Sequence, residues 1–84
     1  MSDERKKQVE AIVELLEKAR SLTEEMKTDE EGEIETLKDE QEELEGDAVT
    51  DSQAQIEVLE GNVDSLDAAI EGIDDVIDYV QKAE

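Results

Sequence analysis

The chain has 84 residues and a formal net charge of −20, from 28 Asp and Glu against 8 Lys and Arg; it holds no Phe, Trp, Pro, Cys or His, and Tyr79 is its one aromatic. Those figures exclude a large core, a disulfide framework, and the usual general base and thiol nucleophile. They also set the chain against direct binding to nucleic acid or anionic lipid, whose phosphates repel it.

A core of Ile, Leu, Val, Ala and Met alone suits a helical bundle and is poor material for a sandwich or barrel. The apolar runs are only a few residues long, so no membrane span is expected, and Met1 to Lys7 lacks the apolar segment of a secretory signal. The expectation is a single helical domain over 1–84, cytoplasmic or in a virion, not secreted by a signal peptide.

Ser2 reads as a helix cap, with Asp3 and Glu4 placed favourably for the helix dipole. The first helix then carries a broad apolar stripe of Val9, Ile12, Val13, Leu15, Leu16, Ala19, Leu22 and Met26, which suits contact with more than one neighbour. Thr28 to Glu35 interrupt the stripe around Gly32. The seven-residue phase through Val9, Leu16, Thr23, Glu30, Leu37 and Leu44 survives the interruption, which predicts one helix over about 3–45, kinked or loosened near Gly32. The alternative is a true break there, with Thr28 and Glu31 as a capping box and three helices in all.

Gly46 to Thr50 reads as the turn, at 46–50, with Gly46 as a left-handed C-terminal residue and Thr50 with Gln53 as the capping box of a second long helix over about 51–83. That helix holds the strongest pattern in the chain. Ile56, Leu59, Val63, Leu66, Ile70, Ile73, Ile77 and Val80 recur at alternating steps of three and four, and every seam position is apolar. The fold class expected is all-α: a helical hairpin of long amphipathic helices that associates as a coiled coil or helical bundle.

A hairpin closed at 46–50 pairs residues whose numbers sum to about 96, by the geometry of antiparallel helices. Leu37 then meets Leu59, Ile34 meets Val63, Met26 meets Ile70, Ala19 meets Ile77 and Leu16 meets Val80, with a weak layer of Glu30 and Glu33 near Leu66. Leu15, Leu22, Val13, Val76 and Ala69 are left over, and self-association or docking on a larger protein would bury them.

For chemistry the chain has few instruments. No serine or threonine has an evident activating base, and the carboxylates lie beside other carboxylates on solvated faces. Asp29, Glu31, Glu33, Glu35 and Glu40 fall at calcium-loop spacings, but Ile34 occupies the place that needs Gly. No catalytic residue, metal site or cofactor is therefore expected.

The sharpest charge feature is the tract Asp29, Glu30, Glu31, Glu33, Glu35, Asp39, Glu40, Glu42, Glu43, Glu45 and Asp47, relieved only by Lys38. As one helix of roughly 28 Å it approaches the ~1.7 Å charge spacing of duplex DNA. The first expectation is a non-enzymatic structural or interaction protein, an acidic coiled-coil oligomer or assembly component, cellular or viral, that associates with itself or a larger protein through the seam from Ile56 to Val80 and displays an acidic outer face. The alternatives are a DNA- or RNA-mimicking inhibitor that occupies the basic groove of a nucleic-acid-binding protein through that tract, and an acidic helical protein adapted to high salt.

Overall fold

The computed structural model describes residues 2–83. Helix α1 (Asp3–Gln41) and helix α2 (Asp47–Lys82) run antiparallel as a hairpin, a rod of 66 × 14 × 11 Å. Ser2 caps α1 as expected: its backbone is extended and its Oγ accepts from the Arg5 N–H at 3.1 Å. Gly32 causes no break. The helix is continuous through it, and the Thr36 hydroxyl donates to its carbonyl at 3.0 Å.

The turn lies at 42–46 rather than 46–50, and both helix ends move with it. α1 stops at Gln41 because Glu42, Glu43 and Glu45 would otherwise crowd the negative end of its dipole. Gly46 is indeed the residue with positive φ, but with φ 62° and ψ −133° it is the N-cap of α2, not the C-terminal residue of α1. The expected capping box of Thr50 and Gln53 is not used. Asp47 takes the first helical position, where its charge suits the dipole. The added turn of α2 also gives Gln41 two partners, since its Nε2 donates to the Val49 carbonyl at 3.4 Å and to Gln53 Oε1 at 3.3 Å.

The contact between the helices follows a heptad on each side. On α1 the inward positions are Val9, Val13, Leu16, Arg20, Thr23, Lys27, Glu30, Ile34, Leu37 and Gln41, all buried or half-buried. On α2 they are Val49, Ser52, Ile56, Leu59, Val63, Leu66, Ile70, Ile73, Ile77 and Val80. Among the described residues only Val9, Val13, Ile34 and Ile56 are buried apolar residues, with Ile56 the most enclosed at 1 % exposure.

The expected register holds near the turn, where Ile34 lies beside Val63 and Leu37 beside Leu59. The cross-helix polar pairs bracket it: Arg20 with Asp74, Lys27 with Asp67 and Gln41 with Gln53 sum to 94, and Lys38 with Glu60 sums to 98. The part corrected is the rotation of α1. Ala19 and Met26 do not meet Ile77 and Ile70; both are exposed, and Arg20, Thr23 and Lys27 take the inner line. Val13 is buried rather than left over. Of the expected weak layer, Glu30 turns inward and Glu33 is exposed.

The turn-proximal half of α1 explains the choice. The line through Ile12, Leu15, Ala19, Leu22 and Met26 continues as Asp29, Glu33, Thr36 and Glu40. Facing α2 with that line would bury carboxylates against Leu59 and Val63, at a cost of several kcal/mol each. The other line supplies Ile34 and Leu37 there. Its polar middle is tolerable, because the stems of Arg20 and Lys27 cover α2 while their heads reach carboxylates at the rim.

Candidate interaction surfaces

An antiparallel heptad pair has two edges, and here they differ in chemistry. On one edge α2 presents Glu57, Glu60, Asp64, Asp67, Glu71, Asp74 and Asp78, again at steps of three and four. The cations of α1 reach across to it. Arg20 Nε donates to Asp74 Oδ1 at 2.7 Å and Nη2 to Oδ2 at 3.4 Å, while Nη1 bonds Glu24. Lys27 Nζ lies 2.6 Å from Asp67 Oδ1, and Lys38 Nζ lies 3.8 Å from Glu60 Oε2. The hydrogen bond to Asp74, then that residue's charge, holds the Arg20 guanidinium above its ordinary pKa. The hydrogen bond to Asp67 raises the Lys27 ammonium likewise, against the opposing effect of desolvation. These are exposed pairs and each is weak in stability.

The other edge carries no ion pair between the helices among the described residues. There α2 presents Gln55, Val58, Asn62, Ser65, Ala69, Gly72, Val76, Tyr79 and Ala83, without a charge. α1 presents Ile12, Leu15, Ala19, Leu22 and Met26 toward the open end of the hairpin, then Asp29, Glu33, Thr36 and Glu40 toward the turn. An open groove beside Gly32, Leu37, Ala54 and Val58 places the two lines on one side of the rod. The large apolar residues are well exposed: Ile12 44 %, Leu15 68 %, Leu22 57 %, Met26 54 %, Val76 45 % and Tyr79 71 %. The Lys82 ammonium sits 5.7 Å from the Tyr79 ring centroid, at the end of this neutral edge.

The structure thus sorts the residues singled out in the sequence. The seam Ile56, Leu59, Val63, Leu66, Ile70, Ile73, Ile77 and Val80 faces α1 within the same chain, Ile56 buried and the rest half-buried. Leu15, Leu22, Ala69 and Val76 are exposed together on the neutral edge. The acidic tract is not a single helical display. Asp29, Glu30, Glu31, Glu33, Glu35, Asp39 and Glu40 lie on α1, where Glu30 turns inward with its Oε2 buried and unpartnered. Glu42, Glu43 and Glu45 lie in the turn, and Asp47 opens α2. Residues 29–40 are helical throughout, so the calcium-loop spacing forms no loop, and no group of acidic side chains among the described residues is disposed to hold a metal ion.

Two lines escaped the sequence reading. The acidic edge of α2 is written as plainly as the apolar seam beside it, with the same spacing. The neutral line of α2 is defined by missing charge, a weaker signal that only the hairpin makes meaningful.

No helix is long and apolar enough to cross a membrane among the described residues. Comparison with known proteins returned no matching family model, no matching curated protein and no matching solved structure.

Proposed function

We propose that this chain is a non-enzymatic structural or interaction protein, an assembly component that works by helix-on-helix association through its neutral edge. One observation carries the reading. α1 holds a second apolar line at heptad spacing, Ile12, Leu15, Ala19, Leu22 and Met26, which the hairpin leaves exposed beside Val76 and Tyr79. A hairpin with four buried apolar side chains among its described residues has little stability to spare, and a contiguous apolar face of this kind marks an interaction site. The acidic edge keeps the outside of such an assembly soluble.

Light scattering over a hundredfold range of concentration, at low and high salt, tests the proposal. The expected result is a mass above one chain that returns to one chain when Leu15 and Leu22 become Glu, with helicity kept. A wild-type chain that stays single throughout, with a melting temperature independent of concentration, would overturn self-association. Capture by a larger protein would then have to be lost in the same variant for the reading to stand.

A second reading is a nucleic-acid mimic, and the acidic edge of α2 favours it: seven carboxylates stand in line between Glu57 and Asp78. That reading expects retention on a basic nucleic-acid-binding protein, competed by duplex DNA. It expects that retention to be lost when Glu57, Asp64, Glu71 and Asp78 become the corresponding amides. The neutral edge ranks first because mimicry gives no use to its exposed Leu and Ile residues.

A further inference from the structure

We propose that the occupant of the neutral edge is a second copy of this chain, packed face to face with its turn at the opposite end of the assembly. This rests on the reading of the chain as an association protein and adds the partner, the orientation and the register.

The argument is charge complementarity along one line of α1. In order, that line reads Arg5, Gln8, then Ile12, Leu15, Ala19, Leu22 and Met26, then Asp29 and Glu33. It is basic at one end, apolar for about 21 Å in the middle, and acidic at the other end. Such a line is complementary to itself only when reversed. A two-fold axis near Glu17 sets Ile12 against Leu22 and Leu15 against Ala19 of the copy, the alternating fit of antiparallel helices. Gln8 then meets Met26, and Arg5 meets Asp29 at both ends of the contact.

The wider charge distribution selects the same arrangement. Every basic residue except Lys38 and Lys82 lies between Arg5 and Lys27, while residues 29–47 carry eleven acids against one base, Lys38. With both turns at one end, the two acid-rich halves would lie side by side along the rod. With turns at opposite ends, those halves project away from each other, and Arg5, Lys6 and Lys7 of each copy approach Asp29 and Glu33 of the other. On α2 the same face offers Ala69 and Gly72, small enough to let the copy approach. A Cβ added at Gly72 meets nothing within 4 Å in the single hairpin, so the fold itself does not require glycine there.

The chain has no cysteine, so one spin label placed by Glu43→Cys in the turn reports orientation by electron-electron distance measurement in the full-length protein. The expected result is a two-chain mass with the labels about 80 Å apart, from the helical rise counted out from Glu17 in both directions. A two-chain mass with labels within about 25 Å would overturn the orientation and leave the association reading standing. A single-chain mass would overturn both. Charge exchange checks the register at 0.15 M salt. Arg5→Glu alone and Asp29→Lys alone should each weaken the dimer about tenfold, across two equivalent pairs. The double variant should return to within about threefold of the wild type. Equal weakening in single and double variants would overturn the Arg5–Asp29 register.

Discussion

The two helices of the hairpin solve the same problem with unequal material. α2 brings an unbroken apolar seam from Ile56 to Val80, one neutral edge and one acidic edge. α1 brings two incomplete seams, and the one it turns inward is polar through Arg20, Thr23, Lys27 and Glu30. The lesson is that a helix does not bury its most apolar local stretch. It buries the line that is acceptable over its full length, and here the acids at Asp29, Glu33 and Glu40 decide the fate of Leu15 and Leu22, two or more helical turns away.

The largest test of that contrast is Ile56→Asp. It puts an unpaired charge at the most enclosed point of the better seam, and a loss of about 4 kcal/mol is expected. That is most of the stability of a domain this size, so the helical signal in circular dichroism should collapse at 25 °C; a folded variant would mean the seam is not what holds the hairpin. Next is Glu30→Leu, which repairs the poorer seam. Replacing a carboxylate with a buried, unpartnered oxygen by an apolar side chain on the inner line should add about 2 kcal/mol, read as a higher urea midpoint.

Smaller is Gly32→Ala. The position is helical and open on its outer side, so alanine should add about 1 kcal/mol through propensity alone. A loss would reveal a close approach there. Smallest is the pH response of the ion-paired edge. The Lys27 pKa is raised on folding, so its contribution is complete below the unfolded value of about 10.4 and fades as pH rises through the folded value. The melting temperature should fall slightly more across that window in the wild type than in Asp67→Asn.

The all-helical hairpin and the α2 seam were legible because eight seam positions in a row obey one period. The start at Ser2 was legible because capping is local chemistry. The rotation of α1 was not, since Val9, Val13 and Leu16 merge with Ile12, Leu15 and Ala19 into one wide stripe whose two halves separate only against a partner. The turn was misplaced because Thr50 with Gln53 and Asp47 with Gly46 are competing starts four residues apart. Contact between Gln41 and the first turn of α2 settles that competition, and it is invisible in the linear pattern. The neutral edge needed the pairing before the uncharged positions of α2 could be seen to share a side with Leu15 and Leu22.

The buried residues of the hairpin gather at its two extremities, Val9 and Val13 at one and Ile34, Ser52 and Ile56 at the other. Between them the helices are joined by long flexible cations reaching over a half-wet seam. Local opening of the hairpin is therefore expected to concentrate around Arg20 to Glu30, where the two helices bury least between them. Leaving aside the first and last turns of each helix, amide exchange should be faster between Arg20 and Glu30 than around Val13 or Ile34.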